Sequence, residues 1–159
     1  MKKLLVILLL SGWAFASSAQ GYKIVKAWAF VTESAPGRVM KDDDGKEMKP
    51  AGITERFIYI ETNYKGAPKA DAVLYNGKSF AVSIVPVNEA KHLAGSIYSN
   101  GKPSYIIPKK GNKLWKLVIT DTGMPTNTAK IITVKGKLGN SSFKQTLYTE
   151  TRLNGPEYQ

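Results

Sequence analysis

The chain has 159 residues, with 23 lysines and arginines against 12 acidic residues, and its formal net charge is +11. It contains no cysteine, which excludes disulfides, thiol catalysis and zinc sites built on thiolates. A positive charge of this size favours encounter with anionic partners through long-range attraction that salt screens.

The first segment, residues 1–19, has the layout of a secretory signal peptide. Two lysines precede a wholly apolar run over residues 4–10, and small residues follow as far as Ala19. The apolar segment is shorter than the roughly 20 residues that cross a bilayer as a helix, so we predict cleavage. The small residues favour a cut before Gln20, with a cut before Ser17 as the alternative. We therefore expect export to the periplasm or the medium, and the compact signal is bacterial in style.

Removal of this signal leaves residues 20–159, which carry a net charge of +9 once Lys2 and Lys3 are subtracted. A chain of about 140 residues can form one domain with an ordinary hydrophobic core. No segment has the period of a long amphipathic helix, whereas short runs rich in β-branched and aromatic residues recur between turn residues. The sequence therefore predicts a single all-β domain.

The first strand is predicted over residues 22–31, where Ile24, Trp28 and Phe30 share one face. Apolar residues on its other face as well predict a strand that is covered on both sides for part of its length. The polar stretch over residues 32–51 is either a long loop or a hairpin that turns at Asp44-Gly45. Another strand is predicted over residues 56–61.

The strongest local signal is Asn76-Gly77, which predicts a two-residue hairpin turn between strands over residues 72–75 and 80–84. Pro86 should limit the second of these strands, because it cannot donate to a central ladder. Residues 88–95 are predicted to form a single helical turn.

In the remaining sequence, residues 105–107 form a predicted edge strand between two prolines, and residues 113–120 a buried central strand. The last predicted pair covers residues 129–135 and 142–152. In its second strand Phe143 and Leu147 face the core, and Glu150 faces solvent with its polar neighbours.

These seven or eight strands predict an immunoglobulin-like antiparallel β-sandwich, with a small β-barrel as the alternative. Trp28 and Trp115 are the predicted core aromatics. The cysteine pair of antibody domains is absent, so the likeness concerns the architecture alone, and an architecture does not specify a function.

Catalytic chemistry has few candidates in this chain. His92 is the only histidine, and no serine lies in the Gly-x-Ser-x-Gly context of a hydrolase nucleophile. The acidic run over residues 42–47 does not match the alternate ligand positions of an EF-hand loop, so we interpret it as a solvated hairpin tip. Carboxylates that could pair in a glycosidase are Glu33, Glu55, Glu61, Asp71, Asp121 and Glu150. We predict no catalytic residue, no metal site and no cofactor.

A cluster of lysines beside aromatic residues is the most specific positive feature. Lysines next to exposed rings bind polyanions or sugars, because charge supplies attraction and a flat ring supplies stacking. The less specific interpretation is that these lysines keep a β protein soluble and protect its edges. The predicted binding residues are Lys109, Lys110, Lys113, Trp115 and Tyr105.

Our leading hypothesis is an exported, non-enzymatic β-sandwich that acts as a binding or interaction module of the envelope or the medium. The first alternative is a carbohydrate- or polyanion-binding protein, and the second is a small secreted hydrolase. The predicted partner is an anionic envelope polymer or another envelope protein. We predict no specific nucleic acid partner and no transmembrane segment once the signal is cleaved.

Overall fold

The computed structural model describes residues 21–34, 40–41, 43–44, 47–48, 53–119 and 129–154. The predicted signal peptide and its cleavage positions lie outside these ranges. The described residues form strands and turns without a helix, which confirms the all-β prediction. We find in these ranges no apolar helix of membrane-spanning length.

Thirteen strands are described, several of them longer or shorter than the sequence predicted. In chain order they are β1 Ile24–Ser34, β2 Met40–Lys41, β3 Glu47–Met48, β4 Ile53–Thr62, β5 Lys69–Tyr75, β6 Lys78–Phe80, β7 Val82–Val87, β8 His92–Ser96, β9 Pro103–Ile106, β10 Lys113–Ile119, β11 Ile132–Leu138, β12 Ser141–Leu147 and β13 Thr151–Asn154.

Nine of these strands build two main sheets. A five-stranded sheet has the order β13-β1-β4-β10-β7, and a four-stranded sheet has the order β12-β11-β5-β6. Neighbouring strands are antiparallel except for β1 and β13, which are parallel. Two hairpins, β2-β3 and β8-β9, complete the described strands. Both main sheets are open, so the described strands do not close into the alternative small barrel.

Two apolar clusters lie on opposite faces of the five-stranded sheet. The first cluster fills the space between the two main sheets and includes Ile58 and Leu117 from one and Val73 and Val134 from the other. The second cluster lies on the outer face, under hairpin β8-β9, and is formed by Phe30, Phe57, Tyr59, Ile106, Leu114 and Leu153. The central strands β1, β4 and β10 are therefore buried on both faces, as the apolar residues of the first strand predicted.

The two predicted core tryptophans separate between these clusters. Trp115 is buried in the first cluster, and Trp28 packs partly buried against the second. Ile24 was expected on the same face as Trp28, and this was wrong. The register of β1 against β4 shifts between Ile24 and Lys26, and this bulge turns Ile24 toward the first cluster.

The turn at Asn76-Gly77 is confirmed. Asn76 has φ 49° and Gly77 has φ 89°, and β5 and β6 pair across them. The strand expected over residues 80–84 is instead divided, because β6 belongs to the four-stranded sheet and β7 to the five-stranded sheet. Pro86 lies within β7, where it is tolerated because β7 is an edge strand.

Three further expectations differ from the structure or are decided by it. The helical turn expected over residues 88–95 is wrong, because β8 begins at His92 and pairs with β9. The pairing of β2 with β3 favours the hairpin over the long loop. The strand expected over residues 142–152 divides into β12 and β13, and Glu150 lies buried in the crossing between the two sheets.

Candidate functional site

A cleft opens where two connections meet at one end of the five-stranded sheet. Residues 87–90, at the end of β7, and residues 108–114, at the start of β10, enclose a volume of about 260 Å³. Leu114 and Val87 pair directly across these two strands. We call this feature the lysine cleft, because three of the predicted binding residues line it, namely Lys109, Lys110 and Lys113.

A buried carboxylate holds the lysine-bearing loop in place. Glu61 is 2% exposed, and its Oε1 accepts hydrogen bonds from the backbone N–H of Lys109 at 2.9 Å and from Asn112 Nδ2 at 2.5 Å. The N–H of Asn112 also donates to the carbonyl of Lys109 at 3.0 Å. Gly111, at φ 87°, supplies the left-handed residue of this turn. The loop is therefore ordered by the interior of the protein, while its lysines project outward.

The charges around the cleft are mainly positive. Lys109, Lys110 and Lys113 are exposed, and Lys65 Nζ donates to the carbonyl of Gly111 behind the loop. Glu89 is the acidic residue of the lining, and its carboxylate contacts the ring of His92. Cationic side chains on an ordered backbone can attract an anionic group without a large rearrangement of the chain.

The aromatic members of the predicted patch are not brought to the cleft. Trp115 is 9% exposed and packs in the first cluster, so its ring cannot stack on a ligand. Tyr105 is 47% exposed but lies on hairpin β8-β9, where Lys91 Nζ is 3.9 Å from its ring centroid. Lys116 points away from Trp115, and its Nζ lies 4.4 Å from the ring centroid of Phe57. The structure thus keeps the lysines of the predicted patch together and separates them from Trp115.

A second polar arrangement joins a carboxylate, the single histidine and a phenol. Glu89 Oε2 lies 2.7 Å from His92 Nδ1, and His92 Nε2 lies 2.7 Å from the hydroxyl of Tyr59. With Nδ1–H donating to Glu89, Nε2 accepts from the Tyr59 hydroxyl. This series of hydrogen bonds links hairpin β8-β9 to the outer face of the five-stranded sheet.

The order of carboxylate, imidazole and hydroxyl resembles a catalytic triad, but the hydroxyl of Tyr59 is poorly suited to act as a nucleophile. Tyr59 is 2% exposed and belongs to the second cluster. Burial, and secondarily the charge of Glu89, raises the pKa of Tyr59 to about 12. A phenol that holds its proton so strongly and lies under the hairpin is a weak and inaccessible nucleophile. The arrangement therefore serves the packing of the hairpin.

A third polar group lies inside the fold, at the crossing from β12 to β13. Arg56 Nε and Glu150 Oε1 are 3.5 Å apart, with side chains 1% and 0% exposed, and the Arg56 guanidinium lies 5.1 Å from the ring centroid of Tyr75. Burial raises the pKa of Glu150 more than the charge of Arg56 lowers it. Burial also raises the pKa of Tyr75. The side chains of Arg56 and Glu150 are thus enclosed by the fold.

One of the other acidic candidates forms an ion pair on the surface. Glu33 pairs with Arg152 at 2.5 Å on the surface, and Asp121 lies outside the described residues. Within the described ranges, no group of three or more acidic or histidine side chains is arranged to hold a metal ion. The role of Glu61 in the loop was missed by sequence reasoning, because its partners are 48 and 51 residues away.

Comparisons of the chain with protein-family models, with curated proteins and with solved structures find no match.

Proposed function

We propose that this protein is an exported, non-enzymatic binding module that holds an anionic component of the cell envelope in its lysine cleft. The observation that carries the proposal is the pair of hydrogen bonds by which buried Glu61 orders the loop of Lys109 and Asn112. A loop that served solubility alone would not need a buried carboxylate to order it. Carboxylate, sulfate or phosphate groups are the ligand chemistry that such lysines favour.

We further propose that the two main sheets form an immunoglobulin-like sandwich. In that fold, strands A, B, E and D form one sheet and strands C, F and G the other. The proposal is supported by the orders β1-β4-β10-β7 and β12-β11-β5, which match these two sheets when the strands are lettered along the chain. Strand β13 is an addition to that pattern, parallel to β1. Strand β6 then extends the second sheet, and hairpin β8-β9 is an insertion between strands D and E. Interstrand NOEs linking β4 with β10 and β5 with β11 test this order, and a different set of neighbours would contradict it.

The non-enzymatic part of the proposal is supported by the state of the group nearest to His92. The hydroxyl beside the imidazole belongs to Tyr59, whose burial and raised pKa of about 12 disfavour attack on a substrate. A small hydrolase remains the competing hypothesis. Turnover of esters or glycosides that is abolished by His92→Ala would favour it over the binding module.

Export is supported by the basic, apolar and small-residue regions of residues 1–19. Expression of the full chain in a bacterium, followed by N-terminal sequencing of the periplasmic or secreted product, tests this part. We expect a mature chain that begins at Gln20 or Ser17. A product that retains Met1 and stays in the cytoplasm would contradict export.

The cleft is tested by binding to soluble polyanions such as sulfated dextran and polygalacturonate at low and physiological salt. The triple variant Lys109→Gln, Lys110→Gln, Lys113→Gln should bind at least about tenfold more weakly, because each removed charge weakens attraction to the polymer. The matched control changes Lys135, Lys137 and Lys144, which are exposed on β11 and β12. Equal losses in both triple variants would mean that only net charge matters, and the cleft would be rejected.

A further inference from the structure

Hairpin β8-β9 exposes apolar side chains on the face turned away from the protein. Leu93 and Tyr105 lie opposite each other across the hairpin and are 50% and 47% exposed. Ile107, which follows β9, is 64% exposed. Their neighbours His92 and Ile106 point toward the five-stranded sheet. The hairpin therefore buries one face and leaves the other apolar, and we call Leu93, Tyr105 and Ile107 the outer hairpin face.

Lysines lie close to this apolar face. Lys91 Nζ lies 3.9 Å from the ring centroid of Tyr105. At the open end of the hairpin, the chain runs directly into the lysine cleft, since Ala90 and Pro108 both line that cleft. Lys109 and Lys110 thus follow Ile107 within a few residues. The outer hairpin face and the lysine cleft are thus joined directly along the chain, and together they combine exposed apolar groups with cations.

We propose that the outer hairpin face and the lysine cleft form one surface that docks on an anionic lipid bilayer, with the outer hairpin face entering the boundary between headgroups and acyl chains. The inference rests on the proposed function, because the cleft lysines supply the attraction to the anionic headgroups. A soluble polyanion would use the lysines and leave Leu93 and Ile107 in water. A bilayer surface uses both, since apolar side chains enter the interface while lysines and tyrosine hydroxyls stay at headgroup level.

The charges specify the kind of bilayer. Lysines close to a negatively charged membrane surface strengthen binding by about fivefold each, whereas they do little at a zwitterionic surface. The outer hairpin face presents few apolar side chains, so we expect it to be insufficient alone. Binding should therefore require anionic lipid and also depend on the apolar residues.

The experiment measures cosedimentation of the protein with vesicles of phosphatidylcholine alone or mixed equally with phosphatidylglycerol. The test variant is Leu93→Ser with Ile107→Ser, which keeps every charge. The control variant is Ile131→Ser with Tyr148→Ser, whose side chains are 48% and 72% exposed on other segments. Sulfated dextran binding is measured in parallel, and circular dichroism confirms that both variants are folded.

We expect binding to the anionic vesicles only, a loss of about tenfold or more in the test variant, and unchanged binding in the control variant. Dextran binding should be the same in all three proteins. Vesicle binding that the test variant retains would overturn the inference, since attraction by charge alone would then explain it. Dextran binding without vesicle binding would overturn the inference and leave the proposed function intact. Failure with both ligands would overturn both.

Discussion

The energy with which Glu61 stabilises the loop of the lysine cleft can be measured by a double-mutant cycle. Glu61 Oε1 lies 2.5 Å from Asn112 Nδ2, and Glu61 is 2% exposed. Hydrogen bonds to a charged group contribute about 1.5–3 kcal/mol each, so Asn112→Ala should lower the free energy of unfolding by about 2 kcal/mol. Glu61→Ala should lower it further, because the bond from the N–H of Lys109 is lost as well.

The coupling between the two sites is the decisive quantity. If Glu61 and Asn112 act through their shared bond, the double variant should be about 2 kcal/mol more stable than the sum of the single changes predicts. Urea unfolding resolves such a difference, since with m-values of about 1–3 kcal/mol/M it corresponds to about 1 M in midpoint. Asn88→Ala is the control partner, because Asn88 is exposed on the opposite wall of the same cleft.

The same variants connect loop order with binding. Neither Glu61→Ala nor Asn112→Ala removes a lysine, yet both should weaken binding of sulfated dextran, because the loop must then be ordered when the ligand binds. Removal of the negative charge of Glu61 acts in the opposite direction, so Asn112→Ala is the cleaner variant. A coupling energy below about 0.5 kcal/mol, or full dextran affinity in Asn112→Ala, would refute the argument that the interior orders this loop.

Three further variants test other parts of the structure. Tyr59→Phe removes the hydrogen bond to His92 and should lower the free energy of unfolding by about 1 kcal/mol at neutral pH. The pKa of Tyr59 is about 12 in the folded protein, above the ordinary tyrosine value of 10.0. Between pH 10 and pH 12, the stability of the wild type should therefore fall more steeply than that of the variant, which alkaline unfolding measures. Glu150→Gln should gain stability relative to wild type as the pH rises above 4.5, because the raised pKa of Glu150 makes its ionisation oppose folding. Urea unfolding that shows the opposite slope would contradict this. Gly136→Ala places a Cβ against the backbone oxygen of Lys69 in β5 and should lower the free energy of unfolding by about 1–3 kcal/mol. Gly21→Ala, with nothing within 4 Å of its added Cβ, should melt like wild type.

Sequence reasoning succeeded where the cause of a structure lies within a few residues. The period of the apolar residues was enough for the all-β class and for the two-sided burial of β1, because alternation along a strand is a property of the backbone itself. Asn76-Gly77 was enough for the β5-β6 turn, since these residues readily adopt the positive φ angles that the turn requires.

Sequence reasoning failed where the chain changes sheets. The stretch over residues 80–84 and the stretch over residues 142–152 each look like one strand, and each contributes to two sheets. The alternation of apolar and polar residues continues where the chain passes from one sheet to the other. The local pattern therefore does not indicate where that change occurs. Glu150 was placed on the solvent face for this reason, although its side chain is fully buried.

The sequence by itself determined the strand-forming segments, the best turn, the excess of positive charge and the cluster of lysines at residues 109–113. Only the tertiary structure decided that Trp115 belongs to the core, that Glu61 orders the lysine loop and that His92 meets Tyr59. The physical reason is distance along the chain. These contacts join residues tens of positions apart, and their geometry follows from strand order and register, which one sequence does not display locally.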